Sequence, residues 1–259
     1  MAVFDIARPA KEFTQRRWQT TADGGNLIDM NRVWPGKEFG NAAERQAWLV
    51  WNKLFKGNVD VVLDHHTAAT GNDFSLFIFA DRRNADVKAL SDLFPYQHIK
   101  DDPGGDGVLE STFVKAGIPA MTLELGAPRK FDRSMIASTV EGVANVLAHL
   151  KVTDGKIGRT SKEAGTFFGN KLEAINARTG GWVELLVELG DKVQPNQKVA
   201  IQRNSFGDVV HEYTAGVEGE VAIVGRDALR EPGNLIVEIL TKSTEPDCAD
   251  GGCHYQGDY

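Results

Sequence analysis

The sequence predicts an α/β domain followed by a small all-β domain, on two observations. From Ala2 to Leu150, β-branched or aromatic runs alternate with segments of helical spacing, the pattern of a sheet with helices on both faces. From about Lys171, short alternating strands are separated by turn residues, as in a small β module. The α/β domain is placed at 1–153 and a linker rich in Gly, Lys and Thr at 154–170. The β domain follows at 171–243, and a polar tail expected to be disordered at 244–259. At 259 residues, 42% hydrophobic and 25% charged, the chain can bury a sizeable core. A net charge of −7 provides no basic footprint, so nucleic acid and anionic membrane are excluded as partners. Only Cys248 and Cys253 occur, which suggests no disulfide framework; a reducing cytoplasm is the simplest compartment. No signal pattern or run of 18 apolar residues is present.

Taken in order, Ala2–Ile6 reads as a strand that begins the chain in mid-fold. Residues 8–25 form a polar loop carrying Arg16 and Arg17. Asn31 and Arg32 precede the Pro35-Gly36 stop, and Asn41 can cap a helix to about Phe55. Val59–Leu63 has the composition of a buried strand and runs into Asp64-His65-His66-Thr67. Phe74–Phe79 is a second strand, residues 86–94 and 108–116 are helical, and Ala120–Gly126 is a third strand carrying Glu124. A helix from Ser134 to about Leu150 closes the domain. In the β domain, strands are expected around 181–184, 199–202, 209–213, 220–224 and 235–239.

The chemistry centres on the segment from Asp64 to Thr67, because strand ends are where α/β proteins keep their sites. Side chains alternate across a strand, so His65 and His66 should face opposite ways and only one can serve a given site. His66, Glu124 and the Asn31-Arg32 pair could meet around one pocket: a carboxylate moves protons in hydrolysis, and an Arg-Asn pair clamps a carboxylate or polarises a carbonyl. Cys248, Cys253 and His254 in the tail are a weaker candidate for a metal.

In order, DMNRVWPG, VLDHHTAATG and GIPAMTLELG resemble the succinylglutamate desuccinylase/aspartoacylase family, zinc hydrolases of the carboxypeptidase A-like fold, over roughly Val3–Leu150. The resemblance implies a mixed sheet flanked by helices, N-terminally truncated, with a small barrel-like β domain appended. It implies one zinc ion with His66 as a ligand, Glu124 as general acid/base, and Asn31, Arg32 and Arg17 as substrate-binding residues. The substrate would be a small N-acyl amino acid or related amide. The family's GxHGxE motif, which supplies two further zinc ligands, does not occur in the sequence. With one protein ligand in place of the three that catalytic zinc sites ordinarily present, the chain is expected to be inactive or severely impaired. The alternative is a non-catalytic binding or assembly protein that retains the pocket without metal. The β domain resembles lipoyl- and biotinyl-type domains, but Gly216-Val217-Glu218-Gly219 stands where a carrier lysine is needed. It reads as a structural or homo-oligomerisation module.

Overall fold

The computed structural model describes residues 17–19, 27–248 and 252–253. In chain order the first elements are β1 (Arg17–Gln19), β2 (Leu27–Asp29), α1 (Ala42–Val50), β3 (Val62–His66), β4 (Asn72–Phe74), β5 (Leu76–Ala80) and α2 (Ala85–Ser91). There follow β6 (His98–Asp101), α3 (Leu109–Lys115), β7 (Ala120–Leu125), α4 (Arg133–His149), α5 (Ser161–Ala164), β8 (Phe167–Gly169) and β9 (Lys171–Asn176). The remaining strands are β10 (Gly181–Leu185), β11 (Lys192–Val193), β12 (Lys198–Arg203), β13 (Val209–Thr214), β14 (Gly219–Gly225), β15 (Leu229–Arg230) and β16 (Leu235–Thr241). The strand expected at Ala2–Ile6 lies outside the described residues. No described helix is long and apolar enough to cross a membrane.

The chain divides into two compact units, one from the residues up to Val62 together with Gly105–Ile118, the other from Leu63–Gly104 and from Pro119 onward. In the first unit, Asn41 caps α1 as its sequence implies. Its side chain accepts from the Glu44 N–H at 3.0 Å, and the Glu44 carboxylate accepts from the Asn41 N–H at 2.9 Å, a reciprocal capping box. The helix expected to Phe55 changes to a π-helical turn at Trp51–Phe55. Trp51 and Phe55 of that turn pack on Phe113 of α3, with ring centroids 4.8 and 5.3 Å away.

The second unit is built on a mixed sheet of order β3-β7-β5-β6-β8, with β5–β6 and β6–β8 parallel and β5–β7 antiparallel. The strand expected at Val59–Leu63 starts later, at Val62, and runs through His66; it lies at the sheet edge and is half-buried, because only β7 flanks it. The expected strand Phe74–Phe79 is broken at Ser75. β4 joins β14 of the β domain through Phe74↔Ile223, while β5 enters the mixed sheet. The break is held by the Ser75 N–H donating to the Ala222 carbonyl at 3.0 Å. Phe74, Phe77, Phe79, Ala222, Ile223 and Leu240 then form one core that belongs to the mixed sheet and the β domain together. β6 has no apolar signature because Lys100, fully buried, occupies its middle; the ammonium lies 3.4 Å from Asp102 and donates to the carbonyls of Asp101 and Cys253.

α4 begins one residue before the expected Ser134, with Asp132 as its N-cap. The Ser134 hydroxyl and the Met135 N–H donate to the Asp132 carboxylate and hold its pKa down at about 2. At Gly142 the helix passes so close to the buried Phe94 ring that a Cβ would overlap Cδ1 of Phe94. Gly142→Ala should therefore destabilise the protein by about 1–3 kcal/mol through overpacking. Unchanged thermal denaturation of the variant would show that α4 can step back from the ring.

The β domain comprises sheets of order β13-β12-β10-β15 and β11-β14-β16-β9, around a core that includes Val193, Val199, Val221, Val237 and Ile239. All five strands expected from the sequence are present. The segment 154–170 carries α5 and β8, and β8 extends the mixed sheet beside β6. In the tail, Pro246–Cys248 forms a 3-10 turn, Cys248 is buried, and a disulfide joins it to Cys253, against the reading of the sequence. Cys253 is drawn back by its N–H donating to Asn170 O at 2.8 Å.

Candidate active site

β3 and β7 are neighbours in the mixed sheet, which brings the strand-end residues His66 and Glu124 together. His66 Nδ1 lies 3.8 Å from Glu124 Oε1. The loops that follow the two strands are tied by the Ala68 N–H donating to Gly126 O at 2.9 Å. Gly126 takes φ +70°, and a Cβ there would crowd the sulfur of Met135, so the turn out of β7 requires glycine. Glu124 is only 3% exposed, a carboxylate held among apolar strands. Its charge bears on Tyr96, whose phenol is pushed above its ordinary pKa chiefly by burial, while its hydroxyl bonds Thr139 at 2.7 Å.

The opposite nitrogen of the same imidazole is also engaged: His66 Nε2 lies 3.0 Å from Asp64 Oδ2. The regular strand allows this, since residues two apart share a face. His65, one position along, is exposed and its Nδ1 lies 3.1 Å from the Leu63 carbonyl. The result is a row of carboxylate, imidazole and carboxylate, with a carboxylate oxygen facing each nitrogen of one ring. That arrangement suits proton movement or ring orientation.

It does not suit a metal held by three protein ligands. One ion can meet only one edge of an imidazole, and Asp64 and Glu124 stand at opposite edges. Among the described residues, the His, Cys, Asp and Glu groups placed to close around an ion are Glu245, Cys248 and Cys253, and there the two sulfurs are joined. The described residues around His66 thus do not fit the zinc site that the resemblance implies.

In the other unit, Asn31 is buried at the 3-10 turn after β2, and its Oδ1 accepts from the Leu109 N–H at 2.7 Å. The side-chain oxygen therefore caps the first turn of α3, a structural duty that the motif DMNR does not disclose. Arg32 is exposed, with Nη1 donating to Asn31 O at 2.8 Å. Arg17 lies in β1 opposite Asp29, and its side chain is outside the described residues, as is Arg16.

One further array escapes sequence reading. Ser75 Oγ lies 2.6 Å from His98 Nδ1, and His98 Nε2 lies 3.1 Å from Glu220 Oε2, joining residues 122 positions apart. It has the residue types of a hydrolytic triad, but Ser75 is 1% and His98 0% exposed, so no substrate carbonyl reaches the hydroxyl. It is a buried hydrogen-bond chain that links β6 to β14.

Residues 13–150 match the family model of the succinylglutamate desuccinylase/aspartoacylase catalytic domain. Among solved structures, the apo ectoine utilization protein EutE (DoeB) from Ruegeria pomeroyi is similar with a TM-score of 0.73, at 21% identity over 82% of this chain and 70% of that one. A succinylglutamate desuccinylase/aspartoacylase from Rhodobacter sphaeroides gives 0.71 at 19% identity over 85% and 70%. An aspartoacylase family protein from Mesorhizobium loti gives 0.61 at 20% identity over 83% and 68%. These likenesses establish the fold, a mixed α/β sheet with a β-rich C-terminal region. A comparison with curated protein sequences finds no match.

Proposed function

Because the chain belongs to the succinylglutamate desuccinylase/aspartoacylase family, whose members are hydrolases of the deacylase type, we propose that its site is built for cleaving small N-acyl amino acids or related amides. The observation that carries this reading is the buried Glu124 carboxylate 3.8 Å from His66 at adjacent strand ends. Hydrolysis of an amide needs a group that takes a proton from the attacking water and returns one to the leaving amine. A carboxylate shielded from solvent and oriented beside an imidazole meets that need, so Glu124 is assigned the proton transfers. The family resemblance assigns substrate binding to Arg32, Asn31 and Arg17, of which the Asn31 side-chain oxygen is already taken up by the Leu109 N–H.

Zinc in such enzymes polarises the carbonyl and acidifies water. The described residues lack the donors for it, so the chain by itself should bind zinc weakly at His66 and turn over acyl amino acids near background. Dialysis against a mild chelator followed by elemental analysis should find substoichiometric zinc. About one tightly held zinc per chain, lost in His66→Ala but kept in His65→Ala, would overturn this account.

A second reading, a binding or assembly protein without turnover, is favoured by the same opposed carboxylates, Asp64 and Glu124, on the His66 ring. N-acyl amino acids that bind without being hydrolysed, even with zinc added, would select it.

A further inference from the structure

A cavity of about 1160 Å³ opens on one face of the β9–β16–β14–β4 strands, and neither His66 nor Glu124 lines it. Its floor follows from register. Ala174, Glu238, Ile223 and Phe74 are successive cross-strand partners, so their side chains share that face, with the 4% exposed carboxylate of Glu238 in the middle of the row. At one side stands Arg230, 6% exposed. Its Nη2 donates to the Gly71 carbonyl at 3.0 Å, while its buried Nε has no hydrogen-bond partner among the described residues. No described carboxylate comes within the 4.0 Å of an ion pair with it; Asp227 acts on it only from further away.

Buried guanidinium groups are ordinarily paired, since stripping a cation of water without a counter-charge costs several kcal/mol. The backbone is nonetheless shaped around this one: Gly225 has no side chain where a Cβ would collide with Nη2 of Arg230. Burial also pulls the Arg230 pKa down from its ordinary value, as expected of a cation awaiting a partner.

The rest of the lining decides what that partner is. Among the described residues, Asp227, Glu238, Glu245 and Asp247 face Lys100, Lys171 and Arg230, four carboxylates against three cations. Lys171 already pairs with Glu245 at 2.8 Å, and Lys100 lies 3.4 Å from Asp102. A phosphate dianion would meet net repulsion there. A monocarboxylate that carries its own cation would not.

We propose that the cavity binds a free amino acid as its zwitterion, with the carboxylate toward the Arg230 guanidinium and the ammonium toward Asp227. Asn72 and Asn176 line the same space and offer amides to either end. The volume exceeds what one amino acid fills, so size does not select the side chain. The inference involves neither His66 nor Glu124 and stands whether or not the chain hydrolyses acyl amino acids.

The test is thermal denaturation of the full chain with a panel of free L-amino acids, their N-acetyl and carboxamide derivatives, and inorganic phosphate, each up to about 10 mM. At least one free amino acid should raise the midpoint by about 3 °C at tenfold excess over its Kd, and its carboxamide, its N-acetyl form and phosphate should not. Arg230→Lys, which keeps the charge and loses the fork, should weaken binding about tenfold. Should that variant fail to fold, Asp227→Asn and Asn176→Ala carry the test, each with an expected loss of about threefold or more. The proposal is overturned if no free amino acid shifts the midpoint, if phosphate or the carboxamide does so equally, or if binding survives these variants but is lost in Glu124→Gln, which would assign it to the other site.

Discussion

Between pH 6.5 and pH 4 the protein is expected to lose up to about 3 kcal/mol of stability through His98 alone. Burial of the ring, 0% exposed between Ser75 and Glu220, drives its pKa down from 6.5 to about 4. The unfolded chain therefore takes up a proton that the folded chain refuses within that window. Stability is complete above pH 6.5 and falls as pH drops toward the folded pKa, by about 1.4 kcal/mol per pH unit. Glu220, whose carboxyl burial pushes up, gains a proton in the folded state over part of the same range and offsets some of the loss. Urea titrations of the parent and His98→Gln at pH 7, 5.5 and 4.5 isolate the effect from other carboxylates. The variant should be less stable at pH 7 and lose less on acidification. Equal slopes for the two proteins would remove His98 as the cause.

Phe77→Ala should cost about 3–5 kcal/mol and weaken the mixed sheet and the β domain together. Phe77 is fully buried on β5, with its ring centroid 4.6 Å from Phe79 and 5.7 Å from Phe74. Those rings pack with Ala222 and Ile223 of β14 and Leu240 of β16 in one core, and the cavity left by truncation cannot collapse without parting β4 from β14. Calorimetry of the parent should show the mixed sheet and the β domain melting in a single transition, moved down as a whole in the variant. A cost below about 1 kcal/mol, or a variant in which one part melts far below the other, would mean the shared core does not couple them.

Local signals in the sequence were sufficient wherever the physics is local. Asn41 and Glu44 announce a capping box, Ala120–Leu125 has the apolar continuity of a central strand, α4 has helical spacing, and each β-domain strand is bounded by turn residues. The ordered motifs around Asn31, His66 and Glu124 were likewise enough to point to the family, because they depend on residue identity and order.

Strand order is a long-range quantity, and only the tertiary structure decided it. Setting β3 against β7 brings Glu124 to His66, and setting β4 against β14 breaks an apolar run that looks continuous. The same holds for the partners of buried polar groups. Asn31 is turned to the α3 N-terminus, His66 is held between two carboxylates, and Ser75, His98 and Glu220 meet across 145 positions, although no local pattern marks them. A buried donor or acceptor must find a partner wherever packing brings one, so its role follows from the fold as a whole rather than from its neighbours in the chain.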